Sequence, residues 1–180
     1  MGSDRGNEGG PGVTLLGRVL FGADDLVIRW ASRAIPGFTA SPGAKALGVV
    51  HNGSLVAGAI YERFNGLHME VAITARHGSP WASRQTLRHL FGYPFVQMQC
   101  VAISVLVPMS NLPSLNLATK LGFVPEAYVK YAAPDGSPMV VLKMFRETCK
   151  WIDQDGQRQQ ATGSAGSLQD SVSGSPIQPA

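Results

Sequence analysis

Residues 100–107, CVAISVLV, are apolar at both alternate sets of positions, and no other feature constrains the fold as strongly. A strand with one face in water alternates apolar and polar side chains. One that is apolar on both faces lies inside a sheet and is covered on both sides. The chain must therefore supply neighbouring strands and two covering layers. Upstream, ALGVVHNGSLVAGAIYERFNGLHMEVAIT (residues 46–74) breaks into three β-prone runs at Asn52-Gly53 and Asn65-Gly66. Both dipeptides favour two-residue hairpin turns, which predicts an antiparallel meander whose last strand covers residues 67–74. Downstream, residues 126–145 predict a hairpin turning at Asp135-Gly136. Residues 13–21, VTLLGRVLF, predict a first strand, weakened by Gly17.

Three segments supply the layers. Residues 24–34 predict a short helix capped by Asp24 or Asp25, with Leu26, Val27 and Trp30 on one face and Pro36-Gly37 ending it. A second helix follows the meander, with Ser79 as N-cap, Pro80 at its first position, and Leu87, Leu90 and Phe91 at helical spacing. Tyr93-Pro94 predicts a kink or break near Gly92. The third is NLPSLNLATKLGFVPE, residues 111–126. Here Asn111 can cap, Pro113 gives up only an orphan amide, Leu117 and Leu121 lie one turn apart, and Gly122 can take the left-handed stop. Taken locally, this segment needs to be no more than a capped amphipathic helix under a sheet.

Composition narrows the function classes. A chain of 180 residues with 44% hydrophobic residues allows one domain, placed at residues 13–152. The glycine-rich residues 1–12 and the polar residues 153–180 are expected to be disordered, because they carry too little apolar surface to offset ordering entropy. A net charge of +3 spread over 15% charged residues makes no dense basic face, so nucleic acid gains no support as a partner. Cys100 and Cys149 do not form a disulfide framework, and His51, His68, His77 and His89 lack metal-ligand spacing. The expectation is a cytoplasmic protein with no metal, no signal segment and no membrane span.

The order of elements, with NLPSLNLATKLGFVPE directly after a buried strand, resembles the GNAT N-acetyltransferase superfamily, whose pattern there is Asn-x-x-Ser/Ala followed by Lys-Leu-Gly-Phe-x-x-Glu. With GVVHNGSLVAGAIYERFNG, SPWASRQTLRHLFGYPFVQM and MFRETCKW, the likeness extends over residues 22–151 to a branch of short bacterial and phage proteins. The resemblance implies an α/β (α+β) fold, with a central mixed, mostly antiparallel twisted sheet flanked by helices and a splay between the fourth and fifth strands. It also implies acetyl-CoA in that splay and direct transfer to a primary amine of a small molecule, peptide or protein, with a homodimer left open.

The same resemblance implies site residues. Backbone groups freed by a bulge near Ile73 and Ala75 would hold the pantetheine arm, and the helix starting at Ser79 would face the pyrophosphate. The phosphate loop falls on SPWASR, so Ser79, Trp81, Ala82, Ser83 and Arg84 are cofactor candidates, with Ala82 and Arg84 standing where the family has small residues. For two of these there is a plainer alternative: Trp81 as a core residue, Arg84 as an exposed helix residue. Asn111 would touch the cofactor, cap its helix, or both. Glu70 is the candidate base, facing the same side of its strand as His68, a second candidate. The family's proton-donating tyrosine falls on Ala118, leaving solvent, Tyr128 or Tyr131 as donor. The altered loop and missing tyrosine also fit a non-catalytic acyl-CoA-binding or protein-interaction module.

Overall fold

The computed structural model describes residues 12–152. The expected disordered stretches lie outside the described residues, Gly12 excepted. In chain order the elements are β1 (Thr14–Leu16), β2 (Val19–Phe21), α1 (Asp24–Ala34), β3 (Lys45–His51), β4 (Ser54–Glu62), β5 (His68–Ala75), α2 (Arg84–Gly92), β6 (Ala102–Pro108), α3 (Leu112–Leu121), β7 (Val124–Val129) and β8 (Met139–Phe145). The strands form one open sheet in the order β1-β2-β3-β4-β5-β6-β8-β7. Every neighbouring pair is antiparallel except β5 and β6, which run parallel and are joined through α2. Among the described residues, no helix is long and apolar enough to cross a membrane.

Turn chemistry explains most boundaries and corrects four expectations. Residues 13–21 form a hairpin of two short strands, because Gly17 takes a φ of 61° between Leu16 and Val19. Asn52-Gly53 makes the expected two-residue turn, both residues at positive φ. Asn65-Gly66 instead sits in the longer loop 63–67, where the Asn65 side-chain oxygen accepts from the amides of Leu67 and His68 at 3.1 and 2.9 Å. Asp24 does not cap α1. It leaves the helix end to accept from the Ala46 amide at 2.8 Å and the Lys45 ammonium at 3.2 Å, tying α1 to β3.

The fourth correction shifts the start of α2 from Ser79 to Arg84. The Ser79 hydroxyl donates to the Arg76 carbonyl at 2.6 Å and closes a turn at the end of β5, so it cannot cap a helix. Ser83 does so, its hydroxyl accepting from the Thr86 amide at 3.2 Å. At the other end, Pro94 has no amide to donate, and the chain continues past Gly92 as a π-helical stretch over Tyr93–Gln97. In α3, Asn111 caps through its side chain to the Ser114 amide at 3.2 Å. Gly122 stops the helix at a φ of 110°, and Phe123 folds back into the core.

The sheet separates two apolar layers. On one face α1 lies over β3 and β4, and buries Val27 and Ala31 against Ala46 and Ile60. Gly48 and Gly58 face each other across the β3–β4 ladder, and a Cβ on either would come within 2.9 Å of a Val27 methyl. On the other face α2 and α3 cover the main core, which includes Leu87, Phe91, Phe95, Ile103, Leu121 and Phe123. The C-terminal end of α3 is held from outside: the Trp151 indole donates to the Leu121 carbonyl at 2.7 Å and its ring stacks on Phe91.

Candidate functional site

The parallel β5–β6 ladder is short. It pairs His68 with Ala102, Met69 with Ile103 and Glu70 with Ser104, and then stops. Both strands run on, β5 through residues 71–75 and β6 through 105–108, so their facing edges diverge without pairing. The sheet splays where the fourth and fifth strands of the expected scheme meet. No bulge causes it, since β5 stays in regular register with β4 from Glu70 to Ala75. Divergence of the two strands alone leaves the backbone groups along that edge open, where a third strand would otherwise pair.

The gap is a cleft of about 460 Å³ lined by residues from both faces of the sheet. Side chains alternate along a strand, so one mouth lies on the α1 face, bounded by Ile35, Pro36, Phe38, Ala72, Leu106 and Pro108. The opposite mouth lies on the α3 face, bounded by Trp81, Leu117, Ala118 and Phe123. Helix α3 therefore supplies a wall of the cleft as well as a lid on the core. Its spacing explains both roles: Ser114, Leu117, Ala118 and Leu121 all border the gap, and Ala118 and Leu121 are at the same time buried in the core.

Among the predicted cofactor residues, Ile73, Ala75, Ser79, Trp81 and Asn111 line this cleft together; Ala82, Ser83 and Arg84 do not. Those three stand exposed at the start of α2, beyond the cleft's edge. Trp81 is 7% exposed and belongs to the main core, so the core alternative holds while one side of the residue borders the cleft. Asn111 both caps α3 and lines the cleft. Tyr128 is 63% exposed on β7, and Tyr131 is 86% exposed beyond it; neither reaches the cleft lining.

Glu70 sits at the vertex, the last paired residue before the splay. Its carboxylate accepts from the Arg63 guanidinium at 2.5 Å. In register, Glu62, Glu70, Ser104 and Lys143 form a row straight across β4, β5, β6 and β8 on the α1 face. His68 stands beside that row with its Nε2 3.0 Å from the buried Ser104 hydroxyl. Burial lowers the His68 pKa first and the Lys143 charge lowers it further, against the opposing pull of Glu70 and Glu126. The imidazole is thereby biased toward its neutral form.

Several residues at the cleft escaped sequence reasoning. Arg76, His77 and Gly78 line it in the loop after β5, and Thr74 and Ser114 bring hydroxyls. The sequence does carry a signal for Arg76, which closely follows the predicted third meander strand, whereas a helix starting at Ser79 leaves it in a plain connecting loop. A second device appears at the N-terminal end of α3. Asp135 accepts from the Ser110 hydroxyl at 2.5 Å and from the Ser137 amide and hydroxyl at 2.9 and 2.6 Å, tying the β6–α3 turn to the β7–β8 loop. The Ser110 hydrogen bond, then those from Ser137, hold its carboxyl at a pKa of about 2.

No family model and no curated protein sequence matches the chain. Solved structures do. A variant of the spermidine N-acetyltransferase of Vibrio cholerae superimposes with a TM-score of 0.53 at 16% identity, covering 59% of this chain and 67% of that one. A dodecameric form of the same enzyme gives 0.52 at 16% identity, covering 59% and 67%. A candidate acetyltransferase of T. thermophilus gives 0.52 at 17% identity, covering 69% of this chain and 68% of the other. At these identities what is shared is the fold.

Proposed function

From the GNAT acetyltransferase fold of this chain as premise, we propose that it is an N-acetyltransferase that binds acetyl-CoA in the β5–β6 cleft and passes the acetyl group directly to a primary amine. The observation that carries this is the ladder that ends at Glu70 and Ser104 while both strands continue. An extended chain of amides fits such an edge as an added strand would, and pantetheine is one. In this proposal the backbone at Ile73 and Ala75 pairs with the pantetheine arm, while Ser79, Trp81 and Asn111 border it. The nucleotide end leaves the cleft past Arg76 toward Ala82, Ser83 and Arg84, where the open amides of α2 favour phosphate.

The chemistry balances within this frame. The substrate ammonium gives up a proton, with Glu70 as base through water, and the neutral nitrogen attacks the thioester carbonyl carbon. A backbone amide near Ile73 stabilises the oxyanion. The nitrogen of the tetrahedral intermediate then gives up its second proton to solvent as the carbon–sulfur bond breaks, and the CoA thiolate leaves and takes up a proton from solvent, since Tyr128 stands outside the cleft lining. Ala118 offers no hydroxyl at the cleft, so positioning of the two substrates provides much of the rate. The acceptor is a small-molecule, peptide or protein amine.

Thermal unfolding of the full chain with and without acetyl-CoA tests the proposal, with an adenine nucleotide lacking the pantetheine arm as control. At about a hundred times its dissociation constant, acetyl-CoA adds about 2.7 kcal/mol. For a domain of this size that is a rise of about 5–11 °C. No rise at millimolar acetyl-CoA overturns the proposal; a rise without thiol release on a broad set of amines leaves a binding module.

A further inference from the structure

We infer that the acceptor is a primary monoamine carrying an apolar group, and that this site discriminates against polyamines; the inference rests on the acetyl-transfer proposal above. With the nucleotide end leaving over the start of α2, which packs on the opposite face of the sheet, the mouth on the α1 face is left for the acceptor. Ile35, Pro36 and Phe38, from the end of α1 and the loop after it, face Ala72, Leu106 and Pro108 across that mouth. An apolar track leads away from it over the sheet. Leu106 pairs with Val141, which pairs with Ala127, and Pro108 pairs with Met139, which pairs with Val129. Helix α1 covers β3 and β4 and stops short of this part of the sheet, leaving Leu106 43% and Val129 46% exposed.

Charge points the same way. Among the described residues no carboxylate lines the cleft, and its charged or titratable lining residues are Arg76 and His77. The nearby carboxylates are already engaged: Glu62 by the amide and hydroxyl of Ser41, Glu70 by Arg63, and Glu126 by Lys143. A polyamine brings a second ammonium that must either stay solvated or find a carboxylate, and desolvating it unpaired is costly. An apolar substituent meets the opposite conditions, and each methylene it buries on the track raises affinity about fourfold.

The test is acetylation by the full chain with acetyl-CoA of 2-phenylethylamine, 3-methylbutylamine, putrescine and spermidine, read by thiol release and product mass. The two apolar monoamines are expected to exceed spermidine in kcat/KM by at least about tenfold, the effect of two buried methylenes. Leu106→Asp, and Val129→Asp on the outer strand as a second variant that spares β6, should lower the 2-phenylethylamine rate and raise that with spermidine. Polyamines used as well as or better than the monoamines, or an unchanged preference in both variants, overturns the inference while the acetyl-transfer proposal stands. Acetyl-CoA binding with no acetylation of either monoamine also overturns it. Absence of acetyl-CoA binding removes the proposal beneath it, and the inference with it.

Discussion

Replacing Gly58 by alanine should lift α1 from the sheet. A Cβ at Gly58 would stand 2.9 Å from a Val27 methyl and 3.7 Å from two carbons of the Trp30 ring. Val27 is fully buried and β-branched, with essentially one side-chain rotamer open to it in a helix, so the methyl has nowhere to turn. Overpacking of this kind costs about 1–3 kcal/mol, which the stiffer unfolded chain offsets by about 0.4–1 kcal/mol. From the middle of each range the net loss is about 1.3 kcal/mol, a fall in Tm of about 3–5 °C for a domain of this size. Val27→Ala removes the methyl that clashes. In that background Gly58→Ala should be neutral or stabilising, giving a coupling of about 1 kcal/mol or more in a double-mutant cycle. Thermal or urea unfolding of the four proteins is sufficient. A neutral Gly58→Ala in the parent chain, or effects that add within about 0.5 kcal/mol, would refute the claim that this glycine sets the distance of α1. That distance matters at the cleft, since α1 leads directly into Ile35, Pro36 and Phe38.

Three further outcomes are expected. Glu70→Gln should lower turnover by about a hundredfold or more while leaving the acetyl-CoA thermal shift in place; an unchanged rate removes Glu70 as the base. Arg76→Ala should weaken acetyl-CoA binding about tenfold, the loss of one charge-assisted hydrogen bond, and Arg84→Ala by less, as read by calorimetry. The reverse order would make Arg84, rather than Arg76, the side chain that contacts the phosphates. For Asp135, the folded pKa of about 2 lies below the ordinary value of 3.8, so its stabilising effect is complete above 3.8 and lost as pH falls toward 2. The Tm gap between the parent chain and Asp135→Asn should therefore be widest above pH 3.8 and close near pH 2; a gap independent of pH would mean that the charge is not what holds the loop.

Much of the fold was legible because it rests on short-range rules. The buried strand at β6, the Asn52-Gly53 hairpin, the α3 cap at Asn111 and its stop at Gly122 each follow from neighbours within a few residues. Where local rules compete, the chain gave no means of choosing. Ser79 and Ser83 are equally good caps by composition, and only the contact of the Ser79 hydroxyl with the Arg76 carbonyl decides between them. Asp24 reads as an N-cap, yet a strand amide from 22 residues away claims it. Arg76 and Thr74 belong to no motif, and Ser114 reads within its Asn-x-x-Ser motif as part of a capped helix; what unites the three is a gap between strands.

The element types, their order and most turns were set by side-chain periodicity and by the φ preferences of Gly, Asn and Pro, which act within a few residues and so can be read along the chain. The cleft belongs to tertiary structure. Nothing in the residues on either strand marks where the β5–β6 ladder ends, because strand divergence depends on how the twisted sheet packs against α1 on one face and α2 and α3 on the other. The same holds for the mouth on the α1 face. Leu106 is one more apolar residue of a buried-looking strand until the reach of α1 leaves it uncovered.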